Sequence, residues 1–289
     1  MFIFVEFGIV LLFLVTLIYI LKKDKKELNF FIISVIYAIL FENMNIILSQ
    51  DQPGSYYYNK NFTFNILHVP LFVVLSWSII IYSSKKISQN IPIKYYSTFF
   101  VSSLLVLMID LSLDIVAIRL YYWYWNGYKF NEGFFGVPAN NYLGWLLVSF
   151  VFYTVYEILK TKKINFLIKS TMTLLASYSI FLFLFLAINS INKIAGFDKQ
   201  QQFITLAIFA SIFLLFIRLE HKKIKLELFS FAIRMPFYIF GLVNILILKI
   251  YNENIVILLI TILFILFELI LFLLAWYYES KQKVKARNS

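Results

Sequence analysis

Long apolar runs separated by short polar segments fill almost the whole chain. About 20 apolar residues in helical conformation cross the hydrocarbon core of a bilayer, where every backbone polar group must be bonded within the protein. The pattern therefore predicts an all-α, polytopic transmembrane helix bundle with about nine spans. We place these spans at Phe2 to Leu21, Leu28 to Ser49, Phe62 to Ser84, Tyr96 to Ile118, Ala139 to Leu159, Phe166 to Asn189, Phe203 to Ile217, Phe231 to Leu248 and Ile255 to Tyr277.

Basic residues cluster in every second loop between these spans. Most of the 26 Lys and Arg residues fall at positions 22–26, 85–94, 160–169, 218–234 and 281–287. Because cytoplasmic loops carry an excess of Lys and Arg, this alternation predicts that the N-terminus is outside and the C-terminus inside.

Composition narrows the class of protein further. With 62% hydrophobic and 14% charged residues, residues 1–289 are predicted to form a single integral membrane domain, with the first apolar run kept as a span and not removed as a signal peptide. The net charge of +11 is explained by topology and contact with anionic membrane lipids, and nucleic acid is not an expected partner. The chain has no Cys, which excludes thiolate catalysis and Cys-bound metal.

Two carboxylates at the end of the fourth predicted span are the strongest candidate for chemistry. Asp110 and Asp114 are four residues apart, so they share a helix face. An Asp near the bilayer centre costs about 2.5–3.5 kcal/mol, and less near its edge, so intramembrane acids usually have a function. The alternative is that one of them pairs with Arg119 or caps a neighbouring helix.

Other polar residues lie in the same predicted leaflet. Glu42 and Asn45 belong to a polar stripe on the second span. The alternative to a functional role for this stripe is hydrogen bonding between helices. His68 lies near the start of the third span, where a structural or capping role is the simpler interpretation. The aromatic run 121–125 has the composition of a membrane-interface belt or of a wall that binds a polyene and stabilises a cation. These groups are predicted to converge on one outer-leaflet cavity.

Several other polar residues admit simpler structural interpretations. Asn140 and Asn141 follow Pro138 and could cap the fifth span; we favour this role for Asn140. Glu157 is expected to extend towards the lipid headgroups. Glu268 lies deep in the last span and needs a partner or a proton; Arg234 is one candidate, and the sequence does not decide whether they pair.

Motifs between about residues 35 and 160 resemble those of the carotenoid biosynthesis membrane proteins of the CruF type, the bisanhydrobacterioruberin and carotenoid hydratases. The matching positions are Glu42, Pro53-Gly-Ser-Tyr-Tyr-Tyr58, His68-Val-Pro70, Trp77, Asp110-Leu-Ser-Leu-Asp114, Trp123, Phe135-Gly-Val-Pro138, Asn141, Gly144 and Trp145. The resemblance implies location in a multi-pass cell membrane, most simply a prokaryotic cytoplasmic membrane.

The resemblance also implies an activity, the addition of water to a terminal double bond of a linear polyene. Such a reaction needs an acid strong enough to form a tertiary carbocation and a positioned water. Asp110 and Asp114 would share a proton, with Glu42 as a reserve acid or base. The predicted substrate-binding residues are Asn45, Tyr56, His68, Trp123, Asn141 and Trp145. The substrates would be a long apolar polyene or isoprenoid and water, and the reaction requires no metal or organic cofactor.

Three alternatives remain open. The Asp-x-x-x-Asp spacing also resembles half of the Asp-rich motifs by which intramembrane prenyltransferases hold magnesium diphosphate, although the chain has no second such motif. Glu42, Asp110 and Asp114 could instead serve a proton-coupled or lipid transporter. A purely structural membrane partner is the third alternative.

Overall fold

The computed structural model describes residues 2–220 and 227–287, and within the last helix the side chains of residues 278, 279 and 282–287 are not described. The chain folds into an all-α bundle, as predicted. Its helices are α1 (Phe2–Lys23), α2 (Leu28–Ser49), α3 (Leu71–Asn90), α4 (Ser97–Arg119), α5 (Ala139–Lys160), α6 (Phe166–Ile194), α7 (Gln202–Leu215), α8 (Leu228–Ala232), α9 (Met235–Ile247) and α10 (Ile255–Arg287). Short 3-10 turns lie at Lys25–Glu27 and Ile250–Asn252.

Four short strands lie in the loops on one face of the bundle. Strand β1 (Tyr56–Tyr58) pairs antiparallel with β4 (Trp123–Trp125), and β2 (Asn65–Ile66) pairs antiparallel with β3 (Val69–Pro70). We call the face that carries β1 and β4 the outer face, and the opposite one the inner face. The β1–β4 pair joins the loop after α2 to the loop after α4, and so covers the outer ends of both helices.

Within the described residues, eight segments are long and apolar enough to cross a membrane, with α8 and α9 together forming one of them. The shorter helix α7 also runs from face to face. Just before it, Lys199 Nζ bonds Glu132 of the outer loop at 2.8 Å, and just after it the backbone of Phe216 and Arg218 bonds Ser97 and Lys94 on the inner face. Helix ends therefore alternate between the two faces over nine crossings, and the orientation of the bundle in a membrane stays a prediction.

The basic clusters predicted for the inner side lie on one face where they are described. Lys222, Lys223 and Lys225 lie outside the described residues. Lys85 and Lys86, which the sequence suggested were loop residues, are instead buried on α3 and paired with carboxylates.

The third predicted span began nine residues too early. Helix α3 starts at Leu71, because the segment before it is held as a loop with Pro70 at the helix start. Glu6 of α1 accepts the backbone N–H groups of Thr63 and Phe64, and the Asn43 side chain accepts that of His68. Apolar residues of this loop, such as Phe62, are buried. In the sequence they extend the apolar run, which is why the predicted span was too long at its start.

Helices α3, α4 and α5 form the centre of the bundle, while α1, α6 and α10 expose most of their apolar side chains. Small residues allow the central helices to approach closely, as in other membrane bundles. On α3 and α4, for example, the hydroxyls of Ser88 and Ser102 are 2.7 Å apart. This rigid centre places α4 and α5 side by side beneath the outer loops.

Candidate active site

A cavity of about 230 Å³ lies below the β1–β4 pair at the outer end of the bundle. Helices α2, α3, α4, α5 and α6 contribute to its walls, and it is partly open to the exterior. The lining side chains are aromatic, aliphatic, amide or carboxyl in character: Phe41, Glu42, Asn45, Leu48, Tyr56, Tyr58, Val73, Asp114, Trp123, Trp125, Asn140, Asn141, Trp145, Phe181, Leu182, Phe185 and Leu186, with Ser49, Gly54 and Gly144 completing the wall. The cavity is therefore mainly apolar with two carboxyl groups exposed in it.

Asp110 and Asp114 form a buried carboxyl pair on α4. They lie one turn apart, and both side chains are buried. Asn141 Nδ2 donates to Asp110 Oδ2 at 3.1 Å and also to Asp114 Oδ2. Two buried carboxyl groups that share one donor disfavour ionisation of both, so we expect the pair to hold a proton. Asp114 lines the cavity and Asp110 lies directly behind it.

Arg119 does not neutralise this pair, so the pairing with Arg119 that the sequence left open is not formed. Its guanidinium pairs with Glu253 in the loop before α10 and donates to the carbonyl oxygens of Ile115 and Phe135. This neighbouring cation therefore does not compensate a charge on the carboxyl pair.

Asn141 reaches α4 because α5 begins immediately above the pair. The turn before α5 contains Gly136 at φ +99°, and a Cβ there would come within 2.6 Å of Ile118 Cδ1. Glycine is thus required for the turn to pass this close to α4. Pro138 is the N-cap of α5 and no side chain caps the helix, so the prediction that Asn140 caps it is wrong. Asn140 instead lines the cavity.

Glu42 is the second acidic group in the cavity, and its partners differ from those of the Asp pair. Tyr56 and Tyr58 donate their hydroxyls to Glu42 Oε2 at 2.5 and 2.8 Å. Trp77 Nε1 donates to Oε1 at 2.6 Å. These three donors fix the position of the carboxyl group and favour its ionised form, whereas its burial favours the protonated form. Strand alternation explains the tyrosine pair, since residues two apart in β1 face the same side.

The phenols of Tyr56 and Tyr58 remain donors over the physiological pH range. Burial and then the charge of Glu42 raise the pKa of both hydroxyls well above the ordinary value for tyrosine. Both residues belong to the outer loop, so β1 carries two fixed hydroxyl donors into the cavity.

Aromatic rings surround the carboxyl groups. Trp145 stacks on Trp77 with ring centres 3.8 Å apart and planes 3° apart. Trp125 packs on Tyr56 at 4.9 Å, and Trp123 meets Tyr58 edge to face at 5.9 Å. The quadrupole of such rings attracts a cation held near their faces.

Most of the residues proposed from the sequence come together here. Glu42, Asn45, Tyr56, Asp114, Trp123, Asn141 and Trp145 line the cavity, and Asp110 contacts it through Asp114 and Asn141. His68 does not: its side chain is exposed and lies outside the cavity lining. Sequence reasoning did not single out Tyr58, and it included Trp125 only as part of the aromatic run 121–125. The period of two in the strands could have identified both, since each is two residues from a proposed site residue.

The inner face holds a separate group of buried charges. Lys85 Nζ lies 2.7 Å from Glu27 and 2.8 Å from Glu157, and Tyr95 also donates to Glu157. Glu157 is buried, so the prediction that it extends to the headgroups is wrong. Arg234 and Glu268 are fully buried and form an ion pair, which answers the question left open by the sequence.

The family model for "Carotenoid biosynthesis protein" matches residues 2–197. This range contains every residue of the cavity and ends just before α7. Comparison with curated proteins and with solved structures gives no significant match.

Proposed function

The chain belongs to the carotenoid biosynthesis protein family, and we propose that within this role it adds water to a terminal carbon–carbon double bond of a linear polyene. The observation that carries the proposal is the buried carboxyl pair of Asp110 and Asp114, held together by Asn141 and bordering an apolar cavity. A carboxylic acid kept from water is a suitable proton donor for an alkene.

The reaction begins with proton transfer from the Asp114 carboxyl group to one alkene carbon. The π electrons form the new C–H bond, and the neighbouring carbon becomes a tertiary carbocation. The oxygen of a water molecule then forms a C–O bond to this carbon, and the water gives up one proton to the Asp114 carboxylate. The acid is regenerated, and the net change is the addition of one water to the alkene.

The other groups of the cavity support these two steps. Asn141 orients the Asp114 carboxyl group and holds Asp110 beside it through the hydrogen bonds described above. Glu42, fixed by its three donors, supplies a negative charge near the cation, and the face of Trp145 adds an electron-rich surface. Asn45 lies near the Tyr56 hydroxyl and can bind the attacking water.

The cavity favours an uncharged substrate over a diphosphate. Phosphate groups are bound by Arg, Lys or metal ions held by several carboxylates. Among the described residues that line the cavity, none is Lys, Arg or His. Its apolar walls suit a hydrocarbon end group, which supports a hydratase above a prenyltransferase.

Expression in a lycopene-producing bacterium tests the proposal. We expect a pigment heavier by one water, detected by chromatography and mass spectrometry, and its absence when Asp114→Asn replaces the wild-type chain. A pigment profile that stays unchanged with lycopene and with longer linear polyenes, despite a membrane-inserted protein, would overturn the hydratase activity.

A further inference from the structure

Between α2 and α6 the cavity lining meets the apolar surface of the bundle. Leu48 on α2 and Leu186 on α6 line the cavity, yet 56% and 55% of their surfaces are exposed. Near Leu186, the α6 side chains of Ile180 and Phe183 are exposed as well. A surface of this kind on a membrane-spanning helix faces lipid.

The other boundaries of the cavity are closed by specific contacts. At the deep end, Phe41 and Phe181 bridge α2 and α6 with ring centres 5.1 Å apart. At the outer end, the β1–β4 pair is fixed by its ladder and by the bonds from Tyr56 and Tyr58 to Glu42. The opening therefore lies between these two closures, where the side chains are leucine and phenylalanine.

The volume of the cavity limits what it can enclose. Pockets that bury drug-sized ligands have volumes of roughly 300–1,000 Å³, whereas this cavity has about 230 Å³. A long linear polyene cannot fit inside it. Only one end of such a chain can reach Asp114, and the rest must pass out through the opening.

We propose that the gap between Leu48 and Leu186 is a lateral portal through which one end of a membrane-dissolved, acyclic isoprenoid chain reaches the carboxyl pair, while the remainder of the chain stays in the lipid along α6. The portal rests on the proposed function for its substrate class. The portal also predicts substrate specificity. The protein would recognise the end group and an extended apolar chain, and the cavity would not restrict the total length of the substrate.

The absence of Cys in the chain provides a clean chemical test. Leu186→Cys places a single thiol at the portal, and Leu175→Cys places one on the same helix at a residue that is 60% exposed and outside the cavity lining. Each purified full-length variant is reconstituted in phospholipid vesicles and labelled with a bulky, lipid-soluble maleimide. Lycopene binding is followed by quenching of tryptophan fluorescence, since Trp123, Trp125 and Trp145 line the cavity, and hydration is measured on the same samples.

We expect labelling at Leu186→Cys to weaken lycopene binding about tenfold or more, and labelling at Leu175→Cys to change it less than about twofold. Equal binding by the two labelled variants would overturn the portal. Binding that is lost only on Leu186→Cys labelling, but without hydration by any unlabelled sample, would keep the portal and overturn the proposed reaction. Failure of the unlabelled wild-type protein to bind lycopene would overturn both.

Discussion

Carboxyl groups are buried at both ends of the bundle, but they have different partners. On the inner face, each of the carboxylates Glu27, Glu157 and Glu268 contacts a buried cation, Lys85 for the first two and Arg234 for the third. In the outer cavity, Glu42, Asp110 and Asp114 accept hydrogen bonds from hydroxyl, indole or amide groups. Among the described residues, no ion pair is formed by these three acids.

This difference distinguishes acids that stabilise the fold from acids that can take part in a reaction. A buried carboxylate paired with a cation is held in its ionised form, and removing either partner leaves an uncompensated charge. A buried acid without a cation must keep a proton or gather neutral donors, and either arrangement can change during a reaction. We therefore expect substitutions in the outer cavity to affect mainly activity and those on the inner face to affect mainly stability.

Asp114→Asn should give the largest effect on activity. Asparagine has nearly the same shape but cannot donate a proton as an acid, so hydration should fall about 10²–10⁴-fold. The rate of product formation, measured with equal amounts of protein in vesicles, provides the test. Thermal unfolding of the variant in detergent should stay close to that of wild type. A variant with full activity would show that Asp114 is not the acid.

Arg234→Met should give the largest effect on stability. It leaves the fully buried Glu268 without its cation, at a cost of about 3–5 kcal/mol in the free energy of unfolding. Denaturation in detergent measures this loss. The activity of the protein that remains folded should match wild type.

A double variant controls this experiment. Replacing both partners, as in Arg234→Met with Glu268→Leu, removes the buried charge altogether and should recover much of the lost stability. A single variant as stable as wild type, or one that loses activity while folded, would break the proposed division between the two ends.

Glu42→Gln tests an acid that shares features of both groups. Glu42 lies in the outer cavity without a cation, but three hydrogen bonds hold it in place. Glutamine keeps an acceptor oxygen for one group of donors, but its amide nitrogen must face at least one donor from Tyr56, Tyr58 or Trp77. We expect a loss of about 1–3 kcal/mol in stability and about a tenfold loss in hydration rate, from the missing negative charge near the cation. Tyr58→Phe, which removes one donor and keeps the charge, is the matched control. Equal effects of the two variants on rate would assign Glu42 a purely structural role.

The sequence predicted the bundle and most of the outer cavity for physical reasons that are local. Span length and the spacing of Asp110 and Asp114 follow directly from helix geometry, and these are periodic features of a single segment. The convergence of Glu42, Asp114 and Asn141 was also predicted, because each lies towards the same end of its helix. Local patterns were sufficient to predict the position of a residue wherever that position depends on a single helix.

The remaining features depend on contacts between distant segments. Glu6 accepts backbone N–H groups from the loop before α3, and α3 therefore begins later in the sequence than predicted. The hydrophobic pattern contains no sign of this contact. Lys85 and Glu157 were assigned to loops and headgroups because each was considered without its partner. Trp77 matched a motif, but only the structure shows that it bonds Glu42 and stacks on Trp145.

The smallest effect on stability is expected from a partly exposed ion pair. It provides a reference for the effects of substitutions in the outer cavity and on the inner face. Lys199 Nζ bonds Glu132 Oε2 at 2.8 Å on the outer loops, and this bond, followed by the backbone N–H of Lys129, lowers the pKa of Glu132. Because the folded-state pKa is lowered, the stabilisation is present above the unfolded-state pKa and is lost as the pH falls through the folded-state value. Lys199→Gln should therefore lower the melting temperature slightly at pH 7, with the difference shrinking at pH values where Glu132 is protonated, and hydration should be unchanged. A melting difference that does not depend on pH would assign the effect of Lys199 to its other bond, to the Gly127 carbonyl oxygen, and not to the ion pair.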